Sequence, residues 1–215
     1  MTRPESVLLE SLNVGALVRS TPFSRRRTGI YKQPVRQPTA LGTLGLHGDH
    51  VGDHRHHGGE DQAVYLYSAD DYRWWSDALG EVLAPGTFGD NITIDRWWPD
   101  ARVGDRIRFG DVVLELTSPR IPCDTLAKRM RDPQFVPRYI AAARPGAYAR
   151  VISTGELAPQ AVGDVVRTAD THVQIGELFA LWYARPRVAQ ALRDALAAPL
   201  AIRTRAKLEA WLRAT

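Results

Sequence analysis

The sequence predicts a mainly β fold with inserted helices: a compact β-barrel followed by a C-terminal helical extension. Three observations carry this. Short runs of strand formers recur over the first 120 residues, separated by Gly-Asp, Pro-Gly and Pro punctuation. Two of them, RIRF (106–109) and VVLELTS (112–118), flank Gly110-Asp111, a hairpin signal. From Thr171 onward the apolar spacing becomes helical. Antiparallel strands in short steps favour a barrel over a parallel α/β sheet.

The elements follow in order. Residues 7–19 (VLLESLNVGALVR) are rich in strand formers, and residues 29–35 form a short extended piece ended by Pro34 and Pro38. AVYLYS (63–68) is a continuous apolar strand. SADDYRWWSDALG (68–80) reads as a helix, with Ser68 as its N-cap, acids in the first turn and Gly80 as its stop. Ile92 and Ile94 alternate in a short strand. Asp124 starts a helix over 124–130, and Thr154-Gly155 marks a second hairpin between ARVIS and ELAP. Ile175, Leu178, Phe179 and Trp182 share one helical face, and Leu208, Trp211 and Leu212 repeat the pattern. Pro186 and Pro199 divide that region into about three helices. These signals place a boundary near residue 170, with a barrel domain over 1–170 and the extension over 171–215.

Composition limits the function. The chain has 215 residues, 44% of them hydrophobic, enough for a real core. No apolar run approaches the roughly 20 residues that span a bilayer. Glu5 and Glu10 interrupt the first apolar stretch, which argues against a secretory leader and makes the cytoplasm the expected location. Cys123 is the single cysteine, so an internal disulfide and a cysteine-based zinc cluster are both excluded. The net charge of +4 is carried by residues 184–215, where seven basic groups face two acids. No nucleic-acid-binding body is indicated; the basic tail is either a solvated helix face or a contact for an acidic partner or nucleic acid.

Four stretches could carry chemistry. The first holds His47, His50, His54, His56 and His57, with Asp49, Asp53 and Glu60 nearby. As a strand, it would put His54 and His56 on one face and His57 on the other. A zinc or iron site is one reading of it, although no spacing matches a known cage. The second, Gly58-Gly59, is either a tight strand entry or a backbone lining for an anionic or planar ligand. The third is Cys123 in SPRIPCDTLAKRM. A helix start and Arg120 favour its thiolate, Asp124 opposes it or caps the helix, and the alternative is a small buried hydrophobe. The fourth, PGTFGDNITI (85–94), offers a turn whose Asp90 and Asn91 face a pocket or serve only the turn.

Taken together, GIYKQPV, HHGGEDQAVYLYS, GTFGDNITI, SPRIPC and PGAYARVISTGEL resemble the MOSC superfamily, named for the C-terminal domain of molybdenum cofactor sulfurase. The likeness runs from about residue 12 to 168 and is most specific in the HHGG and SPRIPC segments. It is closest to the stand-alone bacterial branch that includes hydroxylaminopurine-resistance reductases. It implies a MOSC-type, PK β-barrel-like fold. It implies that Cys123 is the thiolate that ligates molybdenum or carries sulfur. It implies that Lys32, His57, Gly58, Gly59, Asn91 and Arg120 bind the cofactor, a molybdopterin. The expected activity is reduction of N-hydroxylated substrates, such as N-hydroxylated bases, as a detoxification. A separate electron-donor protein is expected, because the chain shows no flavin or iron–sulfur motif. A homodimer stays open. Three other functions are kept in view: a sulfur carrier with Cys123 as persulfide acceptor, a pyridoxal phosphate protein using Lys32, and a nucleic-acid binder using the basic tail.

Overall fold

The computed structural model describes residues 5–19 and 27–215. Residues 1–4, part of the stretch that argues against a leader, lie outside the described residues. The strands are β1 (Ser6–Val14), β2 (Val18–Arg19), β3 (Arg27–Thr28), β4 (Gln33–Val35), β5 (Thr39–Gly42), β6 (Gly45–Leu46) and β7 (Val64–Ser68). They continue as β8 (Ile92–Ile94), β9 (Arg106–Phe109), β10 (Val112–Pro119), β11 (Ala147–Ser153), β12 (Gly155–Leu157) and β13 (Val162–Val166). The helices are α1 (Ala69–Leu79), α2 (Asp124–Arg129), α3 (Phe135–Ala142), α4 (Ile175–Tyr183), α5 (Ala189–Leu196) and α6 (Ile202–Arg213).

Among the described residues a barrel closes through seven strands in the order β1, β13, β9, β10, β11, β7, β8 and back to β1. Closure leaves no open edge between these strands. Only the β7–β8 pair is parallel. A parallel pair needs a crossover, and α1 lies between these two strands in the chain. The expected hairpin forms: Val112 pairs with Phe109 across Gly110-Asp111. Ser68 caps α1, accepting the Asp71 N–H at 3.1 Å, and Gly80 closes it in the left-handed conformation.

β7 is buried at every position. Its side chains alternate between two clusters, which accounts for the unbroken apolar run. Val64 and Leu66 enter the aliphatic barrel core with Leu9, Ile92 and Leu114. Tyr65 and Tyr67 enter an aromatic cluster with Trp75, Phe88, Phe135 and Tyr139. Ile175, Leu178, Leu192 and Leu208 from the C-terminal helices belong to the barrel's own core cluster. Pro186 and Pro199 stand between these helices, as the sequence predicts.

Two local expectations are corrected, and one helix was not expected. The second hairpin does not form, because β12 pairs with β5 (Gly155 opposite Leu41) instead of folding back on β11. β11 is already paired with β10 from 147 to 153 and with β7 from 147 to 149. Residues 53–57 form a turn rather than a strand, so His54, His56 and His57 do not alternate across a sheet. The backbone N–H groups of His56 and His57 both donate to the Asp53 carbonyl, which closes that turn. Finally, α3 has no counterpart in the expected elements. Its Phe135 and Tyr139 bury into the aromatic cluster, and this packing holds a helix of only eight residues.

Candidate functional site

One cleft of about 710 Å³ opens beside the barrel. β10 delivers its two central residues. Just past the strand, Arg120 is 5% exposed. Cys123 follows as the N-cap of α2, half-buried in the cleft wall. The 54–58 turn supplies His57 and Gly58. Gly58 has φ +70°, a conformation that side chains disfavour, and a Cβ there would lie 3.1 Å from Val51. Lys32, Asn91, Tyr65 and Tyr148 complete the inner walls. Of the seven residues that the family resemblance implies, six line this cleft. Gly59 does not; it borders a smaller recess between the 60–62 turn and the start of α6.

The electrostatics centre on Cys123. Burial acts to raise its pKa. The His57 imidazole, the Arg120 guanidinium and the Leu126 N–H outweigh that and bring it from 9.0 down to about 6. The sulfur is therefore mostly thiolate at neutral pH. Burial also opposes the charge on Arg120, but the surrounding Tyr148, Tyr65 and Tyr139 hydroxyls and the Cys123 thiol hold it in place. Arg120 donates to the Phe88 carbonyl and lies over the Tyr65 ring, 5.0 Å from its centroid. Its Nε is buried with no partner among the described residues.

Two of the expected cofactor ligands have internal partners. Lys32 is buried and ion-paired with Asp49. Burial lowers the Lys32 pKa, and Asp49 works against that. A pyridoxal aldimine at Lys32 would have to break this pair. Asn91 donates to Asp49 at 2.8 Å and accepts the Tyr65 N–H at 3.1 Å. Asp49 takes the Gly15 N–H as well, at 2.8 Å. Asp49 therefore acts as a buried junction, although the sequence marked it only as a carboxylate beside histidines. Tyr148 was also missed, since nothing in PGAYARV separates a cleft residue from a core one.

The histidines scatter. His56 bonds Asp53 at 2.9 Å on the surface, and His50, His56 and His57 reach the cleft. No three His, Cys, Asp or Glu side chains converge as a metal cage among the described residues. In the basic tail, Arg187 stacks on Trp211 at 3.6 Å, and Arg205 donates to the Leu196 and Ala198 carbonyls. No helix is long and apolar enough to cross a membrane among the described residues.

The description of the MOSC domain matches residues 53–167, more than half of the chain. The chain belongs to the MOSC domain family. YflK of Bacillus subtilis (strain 168) is 33% identical over 135 residues, covering 62% of this chain and 61% of that protein. A protein of Gibberella moniliformis named "Reductase" is 29% identical over 159 residues, covering 72% of this chain but 28% of its own length. The MOSC chain thus spans less than two thirds of either relative. The crystal structure of YiiM from Geobacillus stearothermophilus superposes with a TM-score of 0.81, covering 96% of this chain and 99% of that one. At 24% identity, this likeness shows the shared fold. The MOSC family is generally associated with the molybdenum cofactor. The donor set here fits such a group: a soft thiolate, a permanent buried cation with a free Nε–H, and a cleft wide enough for a fused-ring ligand.

Proposed function

We propose that this MOSC protein binds the molybdenum cofactor in the Cys123 cleft and reduces N-hydroxylated substrates, N-hydroxylated bases among them. The observation that carries the reading is the thiolate of Cys123, held between His57 and Arg120 on the wall of a large cleft. Cys123 would hold the metal through sulfur, a donor suited to a soft, redox-active ion. When bound, the cofactor supplies the electron pair that removes oxygen from nitrogen. Arg120, charged at every working pH, would face the anionic part of the bound group. Its fixation on Phe88 and Tyr65 means that no side-chain freedom is lost on binding.

Reduction of an N–OH group to N–H releases water and consumes two electrons and two protons. In this reading a donor carrying a flavin or iron–sulfur centre, a separate protein, delivers the electrons. The relative named "Reductase" supports this class of chemistry. The test is metal analysis of protein made in a host that synthesises the cofactor, with an N-hydroxylated base as substrate and a chemical electron donor. Wild type should carry molybdenum and turn over, and Cys123→Ser should lose both. The reading fails if no molybdenum copurifies and Cys123→Ser keeps any reductase activity.

One observation also supports a sulfur-carrier role: the thiolate is only half-buried and open to the cleft. Intact-mass measurement that finds one extra sulfur atom on Cys123, in protein without molybdenum, would favour it.

A further inference from the structure

Arg203 stands on the first turn of α6, far from Cys123 in the chain and outside the cleft lining. Its guanidinium nevertheless bridges the turn that forms one cleft wall. Nη1 donates to the Gly58 carbonyl at 2.8 Å, and Nη2 donates to the His54 carbonyl at 2.8 Å. Nη1 also reaches Gln62 Oε1 at 3.0 Å. The two carbonyls bracket His57. Within the turn, the Arg55 N–H binds Asp53 Oδ1, and the His56 and His57 N–H groups bind the Asp53 carbonyl. Among the described residues, the backbone hydrogen bonds of segment 53–58 that reach outside it both come from Arg203.

We infer that Arg203 is a positioning residue for the cleft: from the C-terminal helix it clamps both ends of the His57 turn and so sets His57 against Cys123. A planar fork with two parallel donors can bridge two carbonyls that one ammonium cannot. Among the described residues the turn's other backbone hydrogen bonds are internal to it, so releasing the fork frees the backbone on both sides of His57. α6 has a second anchor beside this one, where the Ile202 N–H donates to Asp61 Oδ2 at 2.7 Å. That bond docks the helix without touching the His57 turn, which makes Asp61 the natural control. The inference rests on the Cys123 cleft being the working site. It does not depend on which metal or cofactor the cleft holds.

The test uses cofactor-free full-length protein, in which Cys123 is the single thiol that a neutral alkylating agent can mark. The rate of Cys123 alkylation by iodoacetamide at pH 7 is compared across four variants, with thermal unfolding as a check on folding. Arg203→Met should slow alkylation roughly fivefold, since the thiol loses a neighbour that keeps it reactive. Asp61→Asn should stay within about twofold of wild type. In a His57→Ala background, Arg203→Met should add nothing, because the effect passes through His57. If Arg203→Met does not fold, Arg203→Lys is read in the same way. The inference is overturned if Arg203→Met reacts like wild type, if Asp61→Asn slows the reaction as much, or if the His57→Ala and Arg203→Met effects multiply. Failure here leaves the molybdenum reading intact, and failure of the molybdenum test leaves this one intact.

Discussion

Asn91 and Asp49, 42 residues apart in the chain, meet through a 2.8 Å hydrogen bond beneath the cleft. The same Asn91 accepts the Tyr65 N–H with its carbonyl oxygen, so both ends of its amide are used inside the fold. Asn91 therefore ties the start of β8 to β7 and to the loop that carries Asp49. Asn91→Ala would leave the Tyr65 N–H without its partner and remove a donor from Asp49. It should destabilise the protein by about 2 kcal/mol, the cost of orphaning a buried polar group. Urea unfolding of the cofactor-free protein measures this. A variant as stable as wild type would return Asn91 to a purely ligand-facing role.

Gly29 carries one floor of the cleft. A Cβ there would sit 1.8 Å from the His50 carbonyl oxygen, a backbone atom that cannot swing aside. Gly29→Ala should cost about 3 kcal/mol, because two loop segments must separate. The unfolding midpoint in urea reads this. An unchanged urea midpoint would show that the loops part freely.

Cys123 should titrate near pH 6 rather than near 9.0. The rate of alkylation with pH should rise through a midpoint close to 6 and be flat above pH 8 in cofactor-free protein. Because the folded pKa lies below the unfolded one, the thiolate favours the fold. That contribution is complete above about pH 9 and is lost as pH falls through about 6. A midpoint above 8 would mean that burial wins over His57 and Arg120.

Ser68 is fully buried, accepts the Asp71 N–H at 3.1 Å and donates to Asp71 Oδ2 at 2.8 Å. Ser68→Ala removes this cap from α1, the crossover between the parallel strands β7 and β8. The loss should be about 1 kcal/mol in urea unfolding, while Ser68→Thr should recover most of it. Equal stability of the three proteins would show that the first turn of α1 is held by packing alone.

The amino-acid sequence by itself determines the parts of this protein that depend on neighbours within a few residues. The Gly110-Asp111 hairpin, the Ser68 cap and Gly80 stop of α1, and the helix breaks at Pro186 and Pro199 all arise from local backbone preference. The motifs around His57 and Cys123 were legible as well, through their resemblance to a family. What the tertiary structure decided are the choices among distant partners. β12 pairs with β5 instead of β11, and Leu157 there joins Leu41 in the barrel's core cluster. α3 exists because its aromatic face finds a buried cluster. Lys32 and Asn91 both turn to Asp49 because a buried charge must be paired. Arg203 reaches a turn 145 residues away because α6 packs there. Such contacts leave no local trace, because they depend on which surfaces the closed barrel brings within a few ångströms of each other.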